Sequence, residues 1–102
     1  MVKVSIKNIV EINEITISGH SGYEESGKDI VCASVSSIAI TTINGILSID
    51  SDSLEYQTSD GYIKIAVKKH SEVIDALIQN MINLLTELSQ DYPKNIKIEE
   101  ED

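Results

Sequence analysis

A chain of 102 residues has room for one modest core, and with no Phe and no Trp that core must be built from Ile, Val and Leu. Seventeen acidic residues against eight basic ones give a formal net charge of −9 without any Lys/Arg cluster, which excludes the cationic surface that nucleic acid requires and disfavours anionic membranes. The single cysteine allows no internal disulfide, in keeping with a reducing cytoplasm.

The opening MVKVSIKNIV lacks the charged and long apolar regions of a signal peptide. No stretch reaches the ~18 unbroken apolar residues of a membrane helix. These features place the chain, as an expectation, in the cytoplasm as a single domain over residues 1–102. An acidic surface attracts basic partners over long range. The terminal Glu99-Glu100-Glu101-Asp102 reads as a frayed, solvated end.

Residues 2–7 alternate apolar and polar, with Val2, Val4 and Ile6 on one face, and predict a strand with one buried side. Residues 11–18 alternate again through Ile15 and Ile17, with a turn between Asn8 and Glu14. GHSGYEESGKD, residues 19–29, carries three glycines and no apolar period, and reads as a loop. Over 30–49, Val31, Val35, Ile38, Ala39, Thr42 and Ile46 fall near one helical face, and Asp29 is a suitable N-cap. The β-branched run from Ile38 to Ile43 favours a strand, but the length of the segment favours a helix.

Residues 53–58 and 62–68 predict two strands joined by Ser59-Asp60-Gly61, since Asp-Gly between alternating runs is a strong hairpin signal. Ser71 can cap a second helix from 72 to about 90, with an apolar stripe of Val73, Ile74, Leu77, Ile78, Met81, Leu84, Leu85 and Leu88. Tyr92-Pro93 stops it, and residues 95–99 predict a last short strand. The order ββαββαβ implies an α+β fold, an antiparallel or mixed sheet with two helices packed on it.

Cys32 is the first candidate for chemistry. A thiol becomes a good nucleophile when ionised, and the first turn of a helix stabilises the thiolate through backbone N–H groups. The same N–H groups are candidates to hold an acyl oxyanion. The alternative is a buried structural thiol. His20, twelve positions earlier at the mouth of the glycine-rich loop, is the residue type that accepts a thiol proton; the alternative is a solvated loop histidine. Asp29 orients the imidazole or caps the helix, with capping favoured. Ser36 shares a helical face with Cys32 and either touches the site or bonds back to its own helix. His70, at a strand–helix junction, reads as structural or surface. No CxxC pair or zinc-spaced cluster is present, the loop lacks the GxxxxGK[ST] pattern, and Ser21 lacks the glycines of a GxSxG elbow. No metal and no cofactor is called for.

Taken together, Ser18-Gly19-His20, Gly22-Tyr23, Gly27-Lys28-Asp29-Ile30-Val31-Cys32-Ala33 and Ser36 resemble one family, the bacterial ribosomal-processing cysteine protease Prp. The string GHxGYxxxGxDIVCAxxS is far more specific than any lone His or Cys, and the likeness extends through the opening hairpin and the closing stretch Leu84 to Ile98. Residues 37–49 are less alanine-rich than the family pattern.

The resemblance implies a cysteine endopeptidase that removes the N-terminal leader of a basic ribosomal large-subunit protein, the twenty-seventh, by cutting after an aromatic pair. It implies Cys32 as nucleophile and His20 as general base, with Asp29 and Ser36 at the family's supporting positions. It also implies a mobile loop over residues 21–28 that closes on substrate, with Gly19, Gly22, Tyr23 and Gly27 in and beside it, and a homodimer. The alternatives are a non-catalytic module that binds a ribosomal protein, and another thiol hydrolase such as a thioesterase.

Overall fold

Alternating side chains build the sheet, and their register decides which face is apolar. In the computed structural model, which describes residues 1–8, 11–20, 22 and 29–101, β1 (Val2–Asn8) and β2 (Ile12–Ser18) pair antiparallel, with Val4 opposite Ile17 and Ile6 opposite Ile15. β3 (Leu54–Ser59) and β4 (Tyr62–Val67) form the second hairpin, and β4 pairs with β2 so that Ile15 meets Ile65 and Ile17 meets Ile63. β5 (Ile96–Glu101) runs parallel to β1. The result is a mixed five-stranded sheet in the order β3-β4-β2-β1-β5.

One sheet face is a continuous aliphatic row, and both helices cover it. α1 (Ile30–Ile49) buries Val31, Val35, Ala39, Ile43 and Ile46, and α2 (Glu72–Asp91) buries Ile74, Ile78, Met81, Ile82 and Leu85. These join the strand residues in a single cluster. Each buried Ile or Leu contributes roughly 1.5–3 kcal/mol of transfer free energy, so a core without Phe or Trp is still sufficient. The opposite face is polar, with Lys7 and Lys64 flanking Glu14 at 3.8 and 3.9 Å.

α1 is by length and composition apolar enough to cross a bilayer. Its buried stripe instead packs on the sheet, and the hydroxyls of Ser34 and Thr42 bond back to their own helix, Ser34 donating to the Ile30 carbonyl at 2.7 Å and Thr42 to that of Ile38 at 2.9 Å. The β-branched run stays helical with Ile43 in the core and Ile38 packed against it, while Ile40 is exposed. Ser71 caps α2 by accepting from the Ile74 N–H at 3.1 Å. Within the expected α2 stripe, Val73 and Leu84 are exposed, whereas Ile82, outside it, is buried.

The expected frayed C-terminus is a correction. Glu99, Glu100 and Glu101 lie in β5, opposite Ser5, Ile6 and Lys7, and Glu99 meets Lys3 at 3.1 Å and Lys97 at 3.2 Å. Lys3 on the neighbouring strand and Lys97 within β5 itself offset part of the charge repulsion that composition alone suggested.

Topology positions the site. Ser18 pairs with Tyr62 at the end of the β2–β4 ladder, so the chain leaving β2 emerges beside the turn that joins β3 to β4.

Candidate active site

His20 follows that last pair. Gly19 donates its N–H to the Gly61 carbonyl at 2.8 Å, clasping the chain to the turn. Gly19 has φ +91°, and a Cβ there would run into the Met1 carbonyl oxygen, so glycine is required on two counts. The His20 side chain is about 60 % exposed, with Nε2 3.8 Å from Asp60 Oδ2. That separation is an ion-pair contact, longer than a hydrogen bond.

Cys32 stands in the first turn of α1 and is half-buried. Asp29, only 9 % exposed, is the N-cap: its Oδ1 accepts the N–H of Val31 at 3.0 Å and of Cys32 at 2.9 Å. The Ala33 N–H bonds to the Asp29 carbonyl at 3.1 Å. The N–H groups of residues 31 to 33 thus all bond to Asp29, through its side chain or its carbonyl.

His20, Cys32, Asp29 and Ser36 line one open cavity of about 600 Å³, together with Gly19 and Gly22. The sequence-derived residues are thus brought together. Tyr23 and Gly27 lie outside the described residues. The far wall, which sequence reasoning passed over, is the β3–β4 turn: Ser59, Asp60, Gly61 and Tyr62. Its Asp-Gly signal was legible as a hairpin, but nothing local indicated what the hairpin faces. Val2, Ile17, Val35 and Ile63 add an apolar floor. His70 is placed away from the cavity, with Nδ1 2.7 Å from Asp75 Oδ1 and Nε2 3.3 Å from Glu11 Oε1.

An open cavity with a thiol, an imidazole and an apolar floor suits attack on a carbonyl held by a large side chain. Comparison with known proteins agrees. The chain is 24 % identical over 100 residues to the ribosomal processing cysteine protease Prp of Staphylococcus aureus, covering 95 % of this chain and 94 % of that one. It is 29 % identical over 103 residues to that of Mycoplasma genitalium, covering 99 % and 97 %. The fold matches the S. aureus protease in its crystal structure with a covalently linked product peptide, with a TM-score of 0.93 at 24 % identity, across 99 % of this chain and all of that one. A second structure of that protease, with a substrate peptide, gives 0.87 at 23 % identity, over 99 % and 100 % of the two chains. Residues 1–97 match the family model of the cysteine protease Prp, and this chain belongs to that family.

Proposed function

We propose that this chain is the cysteine endopeptidase that trims the N-terminal leader from a bacterial ribosomal large-subunit protein, the twenty-seventh. The observation that carries the reading is that Cys32, at the start of α1, and His20, at the end of β2, line the same open cavity. The covalent product peptide on the S. aureus relative supports it, because it is what an acylating thiol would leave.

In the proposed cycle, His20 accepts the thiol proton and the Cys32 sulfur attacks the scissile carbonyl. The imidazolium then protonates the departing amine, giving a thioester. Water, deprotonated by His20, attacks the thioester; the C–S bond breaks and the leader leaves as a carboxylic acid. The floor of Val2, Ile17, Val35 and Ile63 would take an aromatic side chain before the cut. The net charge of −9 would draw a basic substrate protein into the cleft. We extend the proposal to a cytoplasmic, single-domain homodimer without metal or cofactor.

The test is to mix the pure protein with the unprocessed ribosomal protein and follow the product by mass. Wild type should shorten it, and Cys32→Ala and His20→Ala should not. Equal trimming by all three ends the proposal, and so does a protein that binds the substrate without cutting it. Turnover of a thioester but not of the peptide would assign a different thiol hydrolase.

A further inference from the structure

The β3–β4 turn meets His20 through a glycine. Gly61 has φ +66°, and a Cβ built on it would lie 2.9 Å from His20 Nε2 and 3.3 Å from both Cδ2 and Cε1. The imidazole therefore lies across the Gly61 α-carbon at a separation that no other residue type allows. Backbone clasping reinforces the placement, since the residue preceding the histidine donates to the Gly61 carbonyl at 2.8 Å. The turn also presents Asp60, whose Oδ2 is 3.8 Å from Nε2.

We infer that Gly61 is a positioning residue for the imidazole: its bare α-carbon is the seat on which the His20 ring lies to face the cavity. The inference rests on the proposed Cys32–His20 pair and adds what holds its imidazole. Asp60 is the lesser contributor. Its side chain is 96 % exposed, the contact is longer than a hydrogen bond, and exposed pairs of this kind are weak and salt-screened. A Cβ at position 61 instead cannot share space with the ring. What yields is the end of a side chain, so the ring moves and the hairpin remains.

Two substitutions separate the seat from the backbone. Gly61→Ala adds a Cβ and strains the left-handed conformation, whereas Gly61→Asn adds a Cβ on a residue that tolerates it. With the unprocessed ribosomal protein as substrate, both should lose about 10- to 100-fold in kcat with KM within about twofold, the penalty of a catalytic group misplaced by about 1 Å. The pH profile of Cys32 alkylation by iodoacetamide should move in both toward that of His20→Ala, which loss of a merely structural glycine would not produce. Asp60→Asn, which leaves the Gly61 α-carbon bare, should lose less than either Gly61 variant.

Folded Gly61 variants with wild-type kcat and alkylation profile, beside an inactive His20→Ala, overturn the seat and leave the pair intact. An active His20→Ala brings down the pair and the seat with it. If neither Gly61 variant folds, wild type decides: nuclear Overhauser contacts between the His20 ring protons and the Gly61 α-protons are expected, and their absence overturns the inference.

Discussion

The two histidines of this chain mark the difference between a ring that is held open and one that is tied down. His70 is 19 % exposed and sits between carboxylates on both ring nitrogens: Nδ1 at hydrogen-bond distance from Asp75 in the first turn of α2, and Nε2 within ion-pair reach of Glu11 just before β2. The Nε2 contact has the distance of an ion pair without hydrogen-bond geometry. Such a ring joins two elements and has little freedom to exchange protons with a substrate. His20 instead rests on a glycine, mostly exposed, at the mouth of a cavity shared with a thiol. Surroundings, not residue type, assign the role.

The largest effects should fall on the open side. Cys32→Ala should abolish cleavage outright, and His20→Ala should cost about 10²- to 10⁴-fold, the range of a lost general acid–base. Both should unfold at nearly the wild-type temperature, because neither side chain is fully buried. A His20→Ala protein with full activity would erase the contrast.

Asp29 comes next, and it tests how the thiol's helix begins. Its carboxylate satisfies two backbone donors, so Asp29→Ala should cost about 1–2 kcal/mol in stability by chemical denaturation. Asp29→Asn keeps an accepting oxygen and should cost less. Indistinguishable stability of wild type and Asp29→Ala would mean that the cap is not what sets the start of α1.

The closed side should behave oppositely. His70→Gln removes contacts between the β1–β2 connection and α2 and should lower stability by about 1 kcal/mol, with cleavage unchanged. A folded His70→Gln that cannot cleave would place His70 with the active residues and dissolve the comparison.

Much of this was legible in the sequence because it is local. Alternation in β1, β2 and β4, the Asp29 and Ser71 caps and the Asp60-Gly61 turn each follow from a few neighbouring residues. The helical reading of 30–49 rested on the length of the segment, and α1 is indeed a helix of 20 residues, too long for an ordinary strand. What sequence alone missed is non-local. The seat of His20 depends on Ser18 pairing with Tyr62, a contact made across forty-four positions of chain. The cap itself was legible, but only geometry shows that the Asp29 carboxylate takes the N–H groups of both Val31 and Cys32.

The smallest effect concerns the acidic C-terminus, where the expected frayed end is an ion-paired strand. Hydrogen bonds from Lys3, then Lys97, hold the Glu99 carboxyl below its ordinary value of 4.5. A carboxyl lowered on folding adds stability that is present above the unfolded value and is lost as pH falls through the folded one. Glu99→Gln should therefore be slightly less stable than wild type well above pH 4.5, and the gap should close at acid pH once Glu99 is protonated in both states. Added salt should narrow it too, because the pair is exposed. A gap equally wide on both sides of that pH would mean that Glu99 steadies β5 by strand packing and that its charge contributes nothing. Unlike the cap of Asp29, which serves backbone donors in a buried place, this carboxylate answers two solvated lysines, and its effect should be correspondingly slight.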